Sequence, residues 1–160
     1  MPRRSREIER REIGPDPKYG SELVQKFINV VMWRGKKNAA RTIVYDALDI
    51  IAKKAQGDKA KALDVFNKAL GQLMPAIEVR ARRVGGSVYQ IPREVDPARA
   101  RALAMRWLIG AAKTRPGQTM GIRIANELLE AYEGRGTAIK KKIDVHKMAE
   151  SNRAFSHYAW

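Results

Sequence analysis

Apolar residues recur at helical spacing through most of this chain. Ser21 can cap a first helix and Gly35 can end it. The positions of that helix predicted to face inward are Leu23, Val24, Phe27, Ile28 and Val31. A second helix runs from the basic turn after Gly35 to about Lys54, and a third runs from about Lys59 until Pro75 ends it.

The pattern changes over residues 77–95, where β-branched residues alternate in two short runs joined by Gly85-Gly86. Two glycines supply the positive φ angles of a two-residue turn, so the pattern predicts a two-stranded β-hairpin over about residues 77–93. Such a turn fixes the register, which pairs Val84 with Ser87, Arg82 with Tyr89, Arg80 with Ile91 and Glu78 with Arg93. These residues share one face, which we call the arginine face.

The opposite face of the hairpin is largely apolar, and we expect its apolar end to lie nearest the helices. Its apolar members are Ile77, Val79, Ala81, Val88 and Pro92. An isolated two-stranded ribbon is marginal in water, so a partner outside the chain is expected to complete it. Guanidinium groups bind phosphate oxygens and a tyrosine ring stacks on bases, which suits the arginine face to RNA. The alternative is a surface hairpin whose arginines are only solvated.

Asp96-Pro97 marks the start of a fourth helix, with a capping side chain followed by a proline in the first turn. Its predicted buried stripe comprises Ala100, Leu103, Ala104, Trp107, Leu108 and Ala111. On another side, Arg99, Arg106 and Lys113 recur every seven residues. They form either a basic row that binds RNA or a solvated polar face, and spacing alone leaves both open.

Two further helices are predicted towards the C-terminus. The fifth runs from about Gln118 to Glu133, and its predicted inward residues are Ala125, Leu128 and Tyr132. The sixth is predicted from about Asp144, and the pattern leaves open whether it begins before Lys140-Lys141-Lys142. The chain ends on an aromatic cluster that either packs on the body or stacks on bases: Phe155, His157, Tyr158 and Trp160.

These elements predict a mainly α fold, with a bundle-like body of six helices and one protruding hairpin between the third and fourth. Residues 21–160 form a single helical domain in this prediction, and residues 1–20 form a basic N-terminal arm. The arm has too few apolar residues to bury, so we expect it to order only on binding. The alternative is an inert terminus. Its arginines are Arg3, Arg4, Arg6, Arg10 and Arg11.

The charge of the chain narrows the class of partner. The 160 residues carry 32 Lys and Arg against 17 Asp and Glu, a formal net charge of +15. So basic a surface repels itself unless a polyanion neutralises it, and nucleic acid is the leading candidate. The sequence shows no long apolar run, secretory signal or lipidation pattern, so we expect a cytoplasmic protein without a membrane partner.

The sequence offers little for catalysis, and we predict no catalytic residue, metal site or cofactor. The absence of cysteine excludes disulfides and thiolate metal sites. The only imidazoles, His146 and His157, lie eleven residues apart, too far along a helix to chelate one metal. Glu127 and Glu130 share a helix, but such a pair is more typical of a solvated face than of acid–base catalysis.

A series of short motifs, taken in chain order, resembles the bacterial form of the small-subunit ribosomal protein seven family. The resemblance covers nearly the whole chain. It rests on Tyr19-Gly20, Phe27-Ile28-Asn29, Gly35-Lys36-Lys37-Asn38, Glu78-Val79-Arg80, Arg82-Arg83-Val84-Gly85-Gly86, Tyr89-Gln90-Ile91-Pro92, Arg106-Trp107-Leu108, Lys140-Lys141-Lys142 and Met148-Ala149-Glu150-Ser151-Asn152-Arg153-Ala154.

The resemblance implies a helical body with an extended β-arm that binds the three-prime major domain of small-subunit ribosomal RNA. It also implies nucleation of head assembly, neighbouring small-subunit ribosomal proteins as partners, and a hairpin near the exit-site transfer RNA and the messenger. We expect the free protein to be a monomer. Carried onto this sequence, the family's RNA contacts fall on the N-terminal arginines, Lys36, Lys37, Arg80, Arg82, Arg83, Arg115 and Arg123. To these we add Tyr89, Arg93, Arg99, Arg106, Lys140, Lys141, Lys142 and Arg153 as predicted RNA-binding residues.

Two other functions would suit parts of the sequence. A DNA-binding architectural protein with a basic β-ribbon arm would wrap a groove, but such ribbons normally work in symmetric pairs and this chain has one. An enzyme acting on RNA would need a nucleophile and a base, and no such pair is recognisable in the sequence.

Overall fold

A computed structural model of the chain describes residues 12–158. Within that range the chain forms six α-helices and one antiparallel β-hairpin, which confirms the predicted mainly α fold. The helices are α1 (Glu22–Val31), α2 (Lys37–Lys54), α3 (Lys59–Leu73), α4 (Pro97–Thr114), α5 (Met120–Tyr132) and α6 (Thr137–Ser151). The strands are β1 (Ile77–Val84) and β2 (Ser87–Glu94), and a 3-10 helix (Arg153–Tyr158) follows α6.

Helix α5 lies at the centre of the body and packs against α2, α3 and α4. Because it is enclosed on several sides, it buries more than one stripe, and Ile124 and Glu127 are fully buried beside the predicted Ala125 and Leu128. Tyr132 was predicted to face inward and is instead 39% exposed. It is the last residue of α5, where the helix has passed the core.

Local signals account for most helix starts, although two boundaries differ slightly from the prediction and a third had been left open. The Ser21 hydroxyl accepts a hydrogen bond from the Val24 N–H, and Asp96 caps α4 in the predicted way. Helix α1 ends at Val31, before Gly35, because the chain already turns there. Helix α5 begins at Met120, capped by the Thr119 side chain rather than near Gln118. Helix α6 begins at Thr137, ahead of the three lysines and well before Asp144.

The predicted N-terminal arm is attached to the body from Asp16 onward. Asp16 is 1% exposed, and its carboxylate accepts hydrogen bonds from the Lys18 N–H, the Tyr19 N–H and the Tyr45 hydroxyl. The Tyr19 hydroxyl donates to Asp49 at 2.9 Å. Residues 16–20 are therefore tied to α2, and the five N-terminal arginines lie outside the described residues.

The hairpin has the predicted two-residue turn and register, with Arg82 opposite Tyr89 and Arg80 opposite Ile91. The sequence did not indicate that the arginine face would contact the body. Ile91, on the arginine face, is 3% exposed, whereas Val88 on the apolar face is 64% exposed. The arginine face can approach the body because Glu78 on the same face, only 7% exposed, neutralises it locally. Helix α6 packs on both strands and the 3-10 helix packs on β2, so the base of the hairpin is part of the body.

Candidate RNA-binding surface

Three cations of α4 connect the base of the hairpin with the turn between α1 and α2. Arg99, Arg106 and Lys113 are all exposed on one side of the helix, and we call them the basic row. The Arg99 guanidinium bonds Glu78 of β1 at 2.8 Å, and the Lys113 ammonium lies 5.6 Å from the centre of the Trp33 ring. Fourteen helical residues span roughly 21 Å. The row therefore spans much of one side of the body and ends near two predicted RNA-binding elements.

The turn between α1 and α2 presents cations at the start of a helix. Arg34 and Gly35 adopt positive φ angles of 50° and 74°, and Lys36 and Lys37 follow them as exposed side chains. No side chain caps α2. The first N–H groups of a helix and its dipole favour anions, and the two ammonium groups add full charges beside them. This combination is suited to a phosphate of a nucleic-acid backbone.

Glu78 organises the base of the hairpin. Its carboxylate accepts hydrogen bonds from Arg80 at 2.7 Å and from Arg99 at 2.8 and 2.9 Å. Burial alone would raise the pKa of Glu78, but the bonds from Arg99 and Arg80 outweigh it and hold that pKa below its usual range. The arginine side chains remain 50% and 43% exposed, so each keeps a part of its guanidinium towards solvent.

Acid should weaken this attachment of the hairpin. The pKa of Glu78 is lower in the folded protein than in the unfolded chain, so its contribution to stability is complete above the unfolded pKa and is lost as pH falls through the folded one. We therefore expect Glu78→Gln to lower the free energy of unfolding at pH 7, and the difference from wild type to shrink below about pH 4. Denaturant unfolding at several pH values measures this, with Glu133→Gln at an exposed ion pair as the control. An equal difference at every pH would contradict the assignment.

Tyr89 contacts the C-terminal end of the described chain. Its ring centre lies 5.0 Å from that of Phe155, at an interplanar angle of 47°. The sequence left open whether the terminal aromatic residues pack on the body or stack on bases, and Phe155 packs on the hairpin. Base stacking by Tyr89 stays a prediction. A base would have to share the Tyr89 ring with Phe155 or take the place of Phe155. Of the other hairpin arginines, Arg93 is exposed and Arg82 is half-buried on the arginine face, and Arg83 is exposed on the opposite face.

Arg115 and the buried Glu127 form a partly buried cluster that the sequence did not reveal. The Arg115 guanidinium is bonded to both Glu127 and Glu130, and its side chain is 18% exposed. The prediction of a solvated Glu127 is wrong, because this carboxylate is fully buried and also accepts the Ala138 N–H at 2.8 Å. The bond from Arg115 lowers the pKa of Glu130, and the bond to Glu130 raises that of Arg115. Arg115 thus joins the α4–α5 turn to the start of α6.

Other predicted RNA-binding residues divide between internal bonds and open surface. Arg123 donates twice to the Gly117 carbonyl, at 2.9 and 2.7 Å, and the Lys142 ammonium donates to the Gln72 carbonyl at 2.6 Å. Exposed members of the predicted set lie on α6 and the 3-10 helix, namely Lys140, Lys141 and Arg153.

Between residues 12 and 158, no group of three or more His, Asp or Glu side chains could hold a metal ion. His146 has a structural contact, since its Nε2 accepts the Ala76 N–H at 3.3 Å. Burial, with the nearby Lys142 charge, lowers the pKa of His146, in keeping with a neutral acceptor. Among the helices of that range, none has the length and apolar character needed to cross a membrane.

Comparison with known proteins identifies the family. The model of the family "Ribosomal protein S7p/S5e" matches residues 2–153. The chain belongs to the ribosomal protein S7p/S5e family. It is also 56% identical over 160 residues, covering all of both chains, to small ribosomal subunit protein uS7 of Idiomarina loihiensis. Membership of the S7p/S5e family confirms the resemblance drawn from the short motifs.

Two exposed residues of the candidate RNA-binding surface were not predicted from the sequence. Arg34 and Trp33 directly precede the basic turn, and both are exposed. Trp33 does not belong to the predicted apolar face of α1. The sequence feature that could have marked it as a surface residue is its place just before a glycine–lysine turn.

Proposed function

We propose that the protein is a structural component of the small ribosomal subunit that binds its ribosomal RNA directly. The observation that carries this is the basic row, which connects the hairpin base with the uncapped start of α2. The S7p/S5e family supports the same function. Phosphates of a folded RNA would be bound along this side of the body, where guanidinium and ammonium groups are exposed.

The proposed primary RNA contacts are the predicted RNA-binding residues that are exposed and are not bonded to Glu78. Within residues 12–158 they are Lys36, Lys37, Arg83, Arg93, Arg106, Lys140, Lys141 and Arg153. Arg80 and Arg99 share their charge with Glu78 and act as secondary contacts. Arg115, Arg123 and Lys142 have internal partners, and we assign them to holding loops and helices in place.

We further infer that the RNA is the three-prime major domain and that binding nucleates assembly of the subunit head. The tip of the hairpin, at Gly85-Gly86, would reach the exit-site transfer RNA and the messenger. Support for this is the family resemblance together with a hairpin whose base is fixed and whose distal Arg83 is exposed. We propose no catalytic role, and we expect a monomer in sedimentation, where a DNA-wrapping architectural protein would be a dimer.

Mutations should separate two roles, the binding of ribosomal RNA by the α1–α2 turn and the contact of the hairpin tip with the exit site. Lys36→Ala with Lys37→Ala removes two phosphate contacts, so affinity for a three-prime major domain transcript should fall roughly 10- to 30-fold and head assembly should suffer. Arg82→Gln with Arg83→Gln should still enter subunits, with the defect in transfer RNA retention or reading-frame maintenance. Tyr89 is kept in this variant so that the contact with Phe155 survives.

Lys53→Ala with Lys54→Ala is the matched control, since these two exposed lysines end α2 away from its N-terminus. It changes the net charge by the same amount and should leave affinity and incorporation near wild type. Loss of incorporation in the hairpin variant, with normal assembly of the Lys36/Lys37 variant, would mean that the two roles are reversed.

A further inference from the structure

Trp33 is the most exposed large apolar side chain among the described residues. It is 67% exposed, and its neighbour Val30 is 39% exposed. An indole this exposed forfeits the burial that makes aromatic residues valuable in a fold, and it is well suited to recognition. Trp33 therefore provides an accessible aromatic surface beside the basic turn.

The ring borders a groove between α1, α2, α4 and the start of α5. The groove encloses about 640 Å³, and its apolar lining includes Val30, Ile109 and Met120 with Trp33 at its edge. This volume is in the range of small-ligand sites, roughly 300–1,000 Å³. Two cations, Arg106 and Lys113, complete the lining, and no acidic side chain contributes to it.

The charges around the groove select its occupant. Lys113 holds its ammonium 5.6 Å from the Trp33 ring centre, and Arg34, Lys36 and Lys37 follow the tryptophan in the same turn. An apolar protein segment would fill the groove but leave these cations without counter-charges. A nucleotide has a flat π-face for the indole and a phosphate for the cations, so it satisfies both parts of the groove.

We propose that this groove binds one unpaired nucleotide of the RNA, with its base stacked on Trp33 and the flanking phosphates on Lys113 and Arg106. The proposal rests on the proposed function, because it assumes that the basic row faces RNA. It adds a single-stranded position to that interface, since a base inside a duplex cannot offer its face to the indole.

Three variants test the stacking. Trp33→Phe keeps an aromatic face, and its affinity for the three-prime major domain transcript should stay within about threefold of wild type. Trp33→Leu keeps apolar volume without a π-face, and it should bind roughly 5- to 100-fold more weakly. The matched control is Tyr132→Leu, because Tyr132 is also exposed beneath a lysine, with Lys68 at 5.9 Å from its ring centre. That control should bind like wild type.

Tryptophan fluorescence provides a second measurement that does not depend on the Leu variant folding. The transcript should quench wild-type emission more than it quenches Trp33→Phe, because a stacked base quenches the indole. If the transcript binds in a salt-dependent way but both Trp33 variants match wild type, the nucleotide site is overturned while the proposed function stands. The contribution of Trp33 is the difference between the emission of wild type and that of Trp33→Phe. If this contribution changes only when a purified neighbouring ribosomal protein is added, the groove docks protein instead. If wild type does not bind the transcript, both proposals fail.

Discussion

Replacing Arg115 with methionine should lower the free energy of unfolding by about 3–5 kcal/mol, the range found when one partner of a buried ion pair is removed. Glu127 is fully buried and the Arg115 guanidinium is bonded to it, with Glu130 as the second acceptor. Without Arg115 the Glu127 carboxylate stays in the core with no counter-ion. Methionine keeps most of the side-chain volume, so the loss of stability measures the removal of the charge rather than the creation of a cavity.

The position of Glu127 makes this loss of stability larger than the removal of an ion pair alone would cause. Its second oxygen accepts the Ala138 N–H and so caps the start of α6, where Gly136 offers no side chain. Gly136 has a φ of 99°, and a Cβ built there would lie 2.9 Å from the same carboxylate. The α5–α6 connection is thus shaped around Glu127, and a carboxylate that moves to find water would loosen α6.

Chemical denaturation of the purified protein measures the effect, and Arg135→Met is the control. Arg135 pairs with Glu133 on the surface, so its replacement should leave stability near wild type. Adding Glu127→Gln to Arg115→Met should recover part of the loss, because the uncompensated charge is then gone. A single Arg115 variant as stable as the control would show that the cluster is not a buried ion pair in solution.

The sequence predicted those parts of the fold that depend on neighbouring residues. Gly85-Gly86 determined the hairpin register, and Ser21 and Asp96-Pro97 marked two helix starts, because turn and cap chemistry acts over a few positions. The start of α6 was left open by the sequence pattern, since its cap comes from Glu127 on another helix. A capping group supplied through tertiary packing leaves no local signal.

The same limit applies to the candidate surface. Residue type and charge identified the exposed cations on the basic turn and on α4, but could not separate Arg106 from Arg115, which has carboxylate partners 12 and 15 positions away. The contact between the arginine face and the body likewise had no local signal in the sequence. Apolar alternation identifies only which residues share a face, whereas the bond from Arg99 to Glu78 spans 21 positions and brings the arginine face to the body.

Binding to ribosomal RNA should be strongly dependent on salt. Eight cations of the proposed contact set are exposed in the described chain. Each phosphate contact releases counter-ions and contributes about −0.7 to −0.9 to the slope of log affinity against log salt concentration, so eight contacts give a slope of roughly −6 to −7. Raising monovalent salt fourfold should therefore weaken binding on the order of 10³- to 10⁴-fold.

Single charge removals show whether that slope comes from the proposed surface. Arg106→Gln and Lys36→Ala should each reduce the slope by roughly 0.7 to 0.9, because each removes one phosphate contact. Lys53→Ala removes the same charge from the far end of α2 and should leave the slope unchanged. Filter binding with a three-prime major domain transcript at four or more salt concentrations supplies the slopes. A wild-type slope near zero would exclude phosphate contacts as the source of affinity. The other contrary outcome is a steep slope that Lys53→Ala reduces as much as Arg106→Gln does. That result would mean that the RNA is attracted by net charge and not by the surface joining the hairpin base to the α1–α2 turn.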